Sequence, residues 1–440
     1  MKILLVFPIR SKNRTINLVP PLGLGYIATA LLGKGHEVNI LDCVKEGFDL
    51  ASFKKYIEDY NPDVVGFTVF SSDLESVKES LNIVKGINPL IITIVGGLHP
   101  SGDPHGVLGY LPADFGFSGE GEIGIGELID KRFANDLSDI PGLIWRVNGE
   151  IRVNDPYFEP DIDSFGFPAW DLIRPQDYNG IPNGMFSKKS PFAPIIATRG
   201  CPYPCTFCAA KKVAGKNIRK RSIKNILQEI EILKNYGIKE IHFEDDNFTY
   251  NKDFAKEVCR AIINKKYDLA FSCPNGVRLD KLDKELLTLM KQAGWYRIYV
   301  GIESGSQKVL NLMKKQLTKE LIREKLKLIK ESRLETAGYF ILGYPGENDQ
   351  DRIETIDFAK SLSLDLAHFA LFIPLPGVDI TKGQVYEWDK SFNTEGNLKE
   401  WQRKAFKEFH LRPKQIFYIL KNLRLANLKI FLRRVRVYLK

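Results

Sequence analysis

The sequence predicts an α/β fold with two successive domains and a basic, helical C-terminal tail, and three observations predict it. Short apolar segments alternate with amphipathic helical segments over residues 1–140. The same alternation resumes over residues 191–380, after a hairpin and an irregular linker at 141–190. Over residues 381–440 the chain instead mixes Lys and Arg with aliphatic residues. We therefore expect two α/β domains, joined by the linker and followed by the tail.

Composition and charge limit the class of protein. A chain of 440 residues with 44% hydrophobic and 27% charged residues is long enough for two or three soluble domains. Its six cysteines are too few and too clustered for a disulfide scaffold, so we expect a reducing, cytoplasmic location. The apolar run at residues 3–7 is too short for the core of a signal peptide. The sequence contains no run of about 18 apolar residues, so we expect no membrane span.

Residues 1–140 predict a Rossmann-like, doubly wound parallel sheet, because five short apolar strands are separated by helical segments. The strands are expected at 2–7, 37–41, 64–69, 91–96 and 114–117. The helices are expected at about 23–34, 50–59, 74–86 and 104–110, with a further helix beginning near residue 123. Ligands of such sheets bind at the carboxyl ends of the strands, so the turns that follow the strands carry the candidate site.

Glycines and small polar residues follow these five strands. Glycine lets backbone amides approach a bulky ligand closely, although ordinary turn chemistry explains any one of these turns alone. Five such turns on one edge of a sheet favour a ligand-binding edge. Downstream, residues 141–154 predict a hairpin around Asn148-Gly149, a strong two-residue turn signal. Residues 155–190, rich in Pro, Asp and aromatic residues, predict a linker that crosses between the domains.

Residues 191–380 contain six further strand–helix units, which predict a partial, open (β/α)6 TIM-like barrel with its active site at the carboxyl ends of the strands. The strands are expected near 194–198, 240–243, 269–272, 297–301, 336–343 and 366–372. The helices are expected near 223–236, 253–264, 284–293, 307–313, 319–331 and 351–361.

Three cysteines, Cys201, Cys205 and Cys208, lie within eight residues at the spacing C-x3-C-x2-C. Four thiolates would complete the coordination of a cubane iron–sulfur cluster or of a structural zinc ion. Three leave one metal position open, as a metal requires if it is to act on a bound ligand. The alternatives are a zinc knuckle without its fourth ligand and a chance grouping, but no Cys or His follows Cys208 before His242. The pattern therefore favours a catalytic cluster.

Residues 198–208, TRGCPYPCTFC, resemble the signature of the radical S-adenosylmethionine (SAM) enzymes. The resemblance implies that the three thiolates hold a [4Fe–4S] cluster and that SAM chelates its fourth iron. It also implies an external reductant, such as a flavodoxin or a ferredoxin, and reductive cleavage of SAM to a 5′-deoxyadenosyl radical.

Polar residues at the ends of the predicted barrel strands are the SAM candidates that the resemblance implies. Residues 244–247 stand where the family often has Gly-Gly-Glu; here clustered carboxylates would pair with the SAM ammonium group, and a solvated acidic turn is the alternative. Asn275 and Arg278 are candidates for the ribose and the carboxylate of SAM, and Glu303 is a candidate for the ribose. The segment 338–347 is expected to contact the adenine through its backbone. The SAM candidates are Phe207, Glu244, Asp245, Asp246, Asn275, Arg278, Glu303, Gly343 and Tyr344.

The other Cys and His residues of the barrel have simpler interpretations. Cys273 is interpreted as a buried or pocket thiol rather than a fourth cluster ligand, because SAM needs the open iron. Cys259 lies at helical spacing from apolar residues and is expected in the core. His242 and His368 alternate with apolar residues in strands and are also expected in the core.

The first domain resembles the cobalamin-binding domain of B12-dependent radical SAM enzymes, through PPLGLGY at 20–26, GGLHP at 96–100 and GEGE at 119–122. Other cobalamin domains place a cobalt-ligating His in D-x-H-x-x-G; here Val44 occupies that position, which implies a cobalamin without an imidazole beneath its cobalt. His99 is compatible with a cobalamin contact or with a core position. The cobalamin candidates are Pro21, Leu22, Gly23, Val44, Ser71, Ser72, Gly96, Gly97, His99, Gly119, Glu120 and Gly121.

The net charge of +9 is concentrated in the tail, since residues 399–440 hold 13 Lys or Arg against two Glu and the rest of the chain carries about −2. Three interpretations are open: a helix packed on the barrel with a solvated basic side, a helix at an anionic membrane surface, and a nucleic-acid-binding segment. The membrane interpretation would place the protein at the inner membrane face and suit a lipid substrate. Nucleic acid is the least favoured partner.

These features identify the chain as a member of the B12-dependent radical SAM enzymes over roughly residues 1–375. The resemblance implies hydrogen abstraction from an unactivated carbon of a small or lipid-like substrate and methyl transfer from methylcobalamin. Ring closure, oxidation or rearrangement without methyl transfer would use the same cofactors. A methylthiotransferase acting on RNA would bring a second three-cysteine cluster, whereas the first domain has only Cys43. An iron–sulfur electron carrier is disfavoured because the three cysteines leave one metal position open and because polar residues follow the barrel strands.

Overall fold

The computed structural model describes residues 1–10, 18–133, 136–178, 187–381 and 397–423. These residues form two large sheets, one of seven strands and one of six, with helices packed against them. The predicted fold class is confirmed: a Rossmann-like doubly wound sheet precedes a partial barrel and a helical tail.

The first domain is built on a twisted sheet whose first five strands are mutually parallel. Its strands are β1 (Lys2–Phe7), β2 (Glu37–Asp42), β3 (Val64–Thr68), β4 (Ile92–Gly96), β5 (Phe115–Phe117), β6 (Leu143–Val147) and β7 (Glu150–Val153). The parallel strands run in the order β2-β1-β3-β4-β5. In β1, Leu4 and Val6 enter one apolar core while Ile3 and Leu5 enter another, which explains its continuous apolar sequence.

Among the described residues, seven helices connect these strands. They are α1 (Leu22–Leu32), α2 (Cys43–Glu46), α3 (Leu50–Tyr60), α4 (Leu74–Ile87), α5 (Leu98–Gly102), α6 (Val107–Tyr110) and α7 (Glu122–Asp130). Three of them differ from prediction. The short α2 was not expected; it forms because the Asp42 carboxylate accepts from two backbone N–H groups at its start. The helix expected at 104–110 is shortened to α6. α5, which precedes that range, was not expected either, and it tolerates Pro100 because the first-turn N–H groups have no intrahelical partner.

The hairpin predicted at 141–154 is confirmed as β6 and β7, and Asn148 and Gly149 at its turn have φ values of 50° and 84°. The hairpin also extends the first sheet, because β6 pairs antiparallel with β5. In the linker that follows, α8 (Trp170–Ile173) and the neighbouring Tyr178 are buried in the core of the barrel domain. The linker therefore packs between the domains.

The second domain is a six-stranded, all-parallel sheet, as predicted for a partial barrel. Its strands, with a two-stranded ladder beside them, are β8 (Phe192–Ile195), β9 (Thr198–Arg199), β10 (Arg219–Lys220), β11 (Glu240–Phe243), β12 (Ala270–Val277), β13 (Trp295–Glu303), β14 (Glu335–Leu342) and β15 (Leu366–Leu371). Its helices are α9 (Ala210–Ala214), α10 (Ile223–Asn235), α11 (Lys252–Lys265), α12 (Lys284–Ala293), α13 (Gln307–Leu312), α14 (Lys319–Glu331) and α15 (Asp349–Ser361). The large strands lie in the order β15-β14-β13-β12-β11-β8.

The described part of the tail packs on the barrel through α16 (Leu398–His410) and α17 (Pro413–Asn422). Ala405 and Phe409 of α16 are fully buried in the barrel core. The Tyr418 hydroxyl of α17 bonds to the Glu335 carboxylate and accepts from Arg297 at 2.7 Å. No described helix combines the length and the apolar character that crossing a bilayer requires. The predicted apolar and basic residues at 424–440 lie outside the described residues.

Candidate active site

A cavity of about 730 Å³ lies where the carboxyl ends of the first sheet face the barrel. Turns after β1, β4 and β5 line it from the first domain, and residues near β9, α9, β11 and β12 line it from the barrel. Eight of the twelve cobalamin candidates reach it: Pro21, Leu22, Gly23, Gly96, Gly97, Gly119, Glu120 and Gly121. Three of the nine SAM candidates reach it: Glu244, Asp246 and Asn275.

The first-domain wall of the cavity is made mostly of apolar side chains and glycine backbone. Gly97 has a φ of 100°, and a Cβ there would lie 2.9 Å from the Thr68 hydroxyl, so glycine is required. Gly23, in the first turn of α1, faces open space, with no atom within 4 Å of where a Cβ would lie. Such a broad, open and mainly apolar surface fits a flat macrocycle such as a corrin.

The other four cobalamin candidates are not brought to the cavity. His99 is fully buried, and its Nδ1 lies 2.9 Å from the Ser71 hydroxyl. Burial lowers the pKa of His99 from its ordinary 6.5 to about 3, so the imidazole is neutral. The Ser72 hydroxyl donates to Asp73 at 2.9 Å. Val44 lies in α2, so the position that holds a cobalt-ligating His in other cobalamin domains is folded into a helix here.

The three cysteines lie between β9 and α9, in a loop with a constrained backbone. Gly200 has a φ of 95°, and a Cβ there would lie 2.3 Å from the Asn217 carbonyl oxygen. The Thr206 hydroxyl lies 2.6 Å from the Tyr344 hydroxyl. All three thiols are free, and burial raises the pKa of Cys208 to about 12. The thiolate form therefore needs a nearby positive centre, which iron would provide.

The donor set fits a cubane cluster better than a single ion. Among the described residues, no group of three His, Cys, Asp or Glu side chains could hold one metal ion. A cubane places each thiolate on a different iron, so its three sulfurs need not converge on one point. Arg199 and Ala210, on either side of the cysteine loop, both line the cavity. A cluster held by the loop would therefore lie beside it.

The acidic segment after β11 is divided between two roles. Glu244 and Asp246 line the cavity, and the backbone oxygen of Glu244 accepts from the Asn275 amide at 2.7 Å. The Asp245 carboxylate instead points into the fold, where it accepts from the backbone of residues 197–198 and, at 2.7 Å, from the Thr198 hydroxyl. Burial raises the pKa of Asp245 to about 7. The structure therefore separates Asp245 from its two neighbours.

Arg278, another SAM candidate, is buried and does not line the cavity, and its Nε donates to Asp280 at 2.9 Å. Its Nη2 donates to the backbone oxygen of Lys315 at 2.9 Å, and its guanidinium lies over the Tyr203 ring at 3.6 Å. Its buried Nη1 has no hydrogen-bond partner among the described residues. An unsatisfied, buried guanidinium N–H fits an anionic group such as the carboxylate of SAM.

Lys315, which the sequence did not single out, donates to the buried carboxylate of Glu303 at 2.7 Å. Glu303 has a φ of 69°, a conformation that non-glycine residues adopt mainly where a site requires it. The Phe207 ring and Tyr344 pack in one apolar cluster nearby, and the Gly343 N–H is bonded to the Glu347 carboxylate. Lys315 thus links two SAM candidates, since its backbone oxygen accepts from Arg278 and its ammonium group donates to Glu303.

Two arginines that the sequence did not assign join the domains. Arg199 donates to Glu122 at 2.8 Å, and Arg219 donates to both oxygens of Glu120 at 2.7 and 2.6 Å. Arg199 also lies 3.2 Å from Glu120. Glu120, a cobalamin candidate, therefore lines the cavity with its carboxylate already bound by arginines. The signal in the sequence is that one arginine stands on each side of the cysteine segment.

Of the residues predicted to lie in the core, Cys259 and His242 are buried, whereas His368 is only partly buried and stacks on the Tyr339 ring with 5.4 Å between the ring centres. Cys273 accepts from the Trp295 indole N–H at 3.2 Å within the barrel core. Cys43 and Cys259 are likewise buried. His242 is buried beside Glu240, with Nε2 2.7 Å from its carboxylate.

Two protein families match the chain. Residues 15–129 match the B12 binding domain, and residues 195–359 match the radical SAM superfamily. An uncharacterized methyltransferase of Pyrococcus horikoshii, PH0819, is 31% identical over 94% of this chain and 93% of its own length. A cytidylyl-2-hydroxyethylphosphonate methyltransferase of Streptomyces wedmorensis is 30% identical over 82% of this chain and 77% of its own.

A solved structure has a fold similar to that of the described residues. It is the radical SAM methyltransferase TsrM of Kitasatospora setae with tryptophan and a SAM analogue bound. The match has a TM-score of 0.72 and 19% identity, and it covers 97% of this chain and 90% of that chain.

Proposed function

The chain belongs to the family of cobalamin-dependent radical SAM methyltransferases, and from this premise we propose that it methylates an unactivated carbon of a small or lipid-like substrate. The observation that carries the proposal is the cavity between the domains, which is lined from one side by the candidate corrin edge and from the other by three of the candidate SAM residues. A substrate held there would be within reach of both cofactors.

When bound, the [4Fe–4S] cluster and SAM would supply a 5′-deoxyadenosyl radical that abstracts hydrogen, and the cobalamin would supply the methyl group. Cys201, Cys205 and Cys208 would hold three irons of the cluster. The free Nη1 of Arg278 would orient the carboxylate of SAM, and Glu303 would accept from its ribose. The mainly apolar first-domain wall would exclude water from the cavity.

Cofactor content and methyl incorporation test this function. After anaerobic purification and cluster reconstitution we expect about four irons, about four sulfides and about one cobalamin per chain. With dithionite and SAM carrying a trideuterated methyl group, we expect 5′-deoxyadenosine and transfer of the labelled methyl into a compound of a fractionated cell extract. Cofactors and 5′-deoxyadenosine without label transfer would favour ring closure or rearrangement. The absence of cobalamin would contradict the proposal.

The family requires an external one-electron reductant, and we propose a flavodoxin or a ferredoxin for this chain. Methylthio transfer is not favoured, because the first domain has a single cysteine, Cys43, and it is buried. A second iron–sulfur cluster there would need three.

We also propose that α17 contacts an anionic membrane surface. Leu411, Ile416, Phe417 and Leu420 expose large apolar side chains within ten residues, and Phe417 is 70% exposed. Lys414 and Lys421 lie among them, and residues 424–440 add six Lys or Arg and no acidic residue. Exposed apolar groups flanked by cations are typical of helices that lie in the interface of an anionic bilayer.

Vesicle sedimentation tests this contact. We expect the full chain to bind phosphatidylglycerol vesicles and not phosphatidylcholine vesicles, and Phe417→Ser to weaken binding about threefold or more. Leu90→Ser, at an 83% exposed residue of the first domain, is the matched control and should change nothing. Equal binding to both vesicle types, or no binding to either, would contradict the contact.

A further inference from the structure

The segment that carries the three cysteines is closed at its base by a two-stranded ladder. β9 and β10 pair antiparallel, with Arg199 directly opposite Arg219 and Thr198 opposite Lys220. Residues 200–218 therefore form a loop between the two arginines. Any contact that fixes both arginines fixes the base of this loop.

Both arginines reach across to the first domain, where they bind the turn after β5. Arg199 and Arg219 share Glu120, and Arg199 also binds Glu122 at the start of α7. The side chains of all four residues are less than a tenth exposed. Water therefore screens these ion pairs little, and two N–H groups of Arg219 meet the two oxygens of Glu120 in a geometry that lysine cannot reproduce.

The remaining contacts of the arginines fix their orientation. The Arg199 guanidinium lies between the rings of Tyr26, in α1, and Phe165, in the linker, at 4.7 and 4.8 Å from their centres. Arg219 also donates to the backbone oxygens of Glu159 and Ala214, at 2.9 and 2.8 Å. The first domain, the linker and α9 thus hold the base of the loop.

The carboxylates of this interdomain group belong to the wall that faces the proposed corrin. Glu120 lies between Gly119 and Gly121, and all three residues line the cavity, as do Glu122 and Arg199. A displacement of the turn after β5 would therefore move the corrin-facing wall relative to the cysteine loop. Buried ion pairs add little net stability because desolvation offsets their attraction, but they strongly favour one geometry.

We propose that Glu120, Glu122, Arg199 and Arg219 are positioning residues that fix the separation between the cluster loop and the corrin-facing edge. The proposal rests on the function proposed above, since it requires both cofactors. These residues act through the two walls of the cavity and not on the reacting atoms. Weakening the group would let the walls separate while each wall keeps its own ligand.

Pulsed EPR on the loaded full-length protein tests this role. With the cluster reduced to its paramagnetic state and the cobalamin as cob(II)alamin, the cluster shortens the spin-lattice relaxation time of the cobalt by an amount that depends steeply on their separation. We expect Glu122→Gln to lower this enhancement about twofold or more, and Arg199→Lys to give an intermediate value. Both variants should still bind the cluster and cobalamin, so that the separation of the two centres can be compared with that in the wild type.

Glu335→Gln is the control, because it breaks another arginine–glutamate pair, with Arg297, that joins the barrel only to its own tail helix α17 and not to the first domain. It should leave the relaxation enhancement unchanged. Wild-type enhancement in both Glu122→Gln and Arg199→Lys would overturn the positioning role. Joint loss of iron and cobalamin in both variants would also overturn it, since the group would then only hold the fold. A wild-type protein that fails to bind cobalamin or iron would instead overturn the proposed function itself.

Discussion

The two walls of the cavity recognise ligands by different means. The first-domain wall presents glycine turns and apolar side chains, and its charged members are already paired: Arg10 with Asp73 at 3.2 Å, and Glu120 and Glu122 with arginines. The barrel wall presents Glu244, Asp246 and Asn275. Behind that wall, Arg278 keeps a buried N–H without a partner among the described residues.

The difference matches the proposed ligands. A corrin is a broad macrocycle that can be held by shape and by backbone groups, whereas SAM carries an ammonium, a carboxylate and ribose hydroxyls that need charged partners. Substitutions on the first wall should therefore act mainly through volume, and substitutions on the barrel side should act mainly through charge or metal ligation.

The largest effect is expected at the cluster. Cys205→Ala removes one of three iron ligands, and we expect loss of the cluster and a fall of about 1,000-fold or more in reductive SAM cleavage. Iron analysis and 5′-deoxyadenosine formation measure the two effects. Cys273→Ala is the control: this thiol is buried and accepts from Trp295, so the variant should keep its iron and lose only stability. Iron loss in Cys273→Ala would place that thiol at the cluster.

On the opposite wall, Gly23→Leu should weaken hydroxocobalamin binding about 30-fold, because its side chain would fill the space that faces the corrin. Stability should hold or rise, since leucine favours a helix more than glycine does. Gly86→Leu is the matched control, at a glycine of α4 that also has no atom within 4 Å of the position a Cβ would take. Unchanged affinity in Gly23→Leu would contradict recognition by shape on this wall.

Most of the fold and the position of the cavity could be predicted, because apolar periodicity and strand-end turns are local features of the sequence. The direction in which a side chain points after a strand end depends on tertiary packing, so the local sequence does not predict it. His99 follows β4 as directly as Gly97 does, yet it points inward to Ser71 while Gly97 lines the cavity. Asp245 differs in the same way from Glu244 and Asp246.

The partners of charged residues could not be predicted either. Arg199 stands within the cysteine signature, but its role depends on Glu122, 77 residues earlier in the chain. Lys315 follows α13 and meets Glu303 only because the barrel brings β13 and that loop together. Such pairs need the tertiary structure, because nothing in the local pattern selects one carboxylate over another.

A smaller effect is expected at the ribose-side carboxylate. Glu303→Gln should weaken SAM binding about tenfold in the cluster-loaded protein, because hydrogen bonds to a charged acceptor are stronger than those to an amide. The variant also leaves the Lys315 ammonium without its carboxylate. The double variant Glu303→Gln, Lys315→Met should therefore recover stability without recovering SAM affinity. Recovery of both would show that Glu303 acts only on the fold. Equilibrium binding and thermal unfolding measure the two properties.

The smallest effects concern stability against pH, where the two walls should respond in opposite directions. His99, behind the first wall, has a pKa lowered by burial to about 3, so its contribution to the free energy of unfolding is lost as the pH falls below 6.5. Asp245, behind the barrel wall, has a pKa raised by burial from 3.8 to about 7, so its contribution is lost as the pH rises from about 4 to about 7. Each slope is at most about 1.4 kcal/mol per pH unit.

Between about pH 4 and 6.5 the two slopes oppose each other in the wild type, so single variants are needed to see them. His99→Gln retains a polar partner for Ser71 and should make the slope of stability against pH more negative than in the wild type. Asp245→Asn retains an acceptor for Thr198 and should make that slope more positive than in the wild type. Urea unfolding across this range, followed in both variants and in wild type, measures the slopes. If both variants keep the wild-type dependence of stability on pH, the pKa values of His99 and Asp245 are not shifted in opposite directions by burial, and the two walls do not differ in this respect.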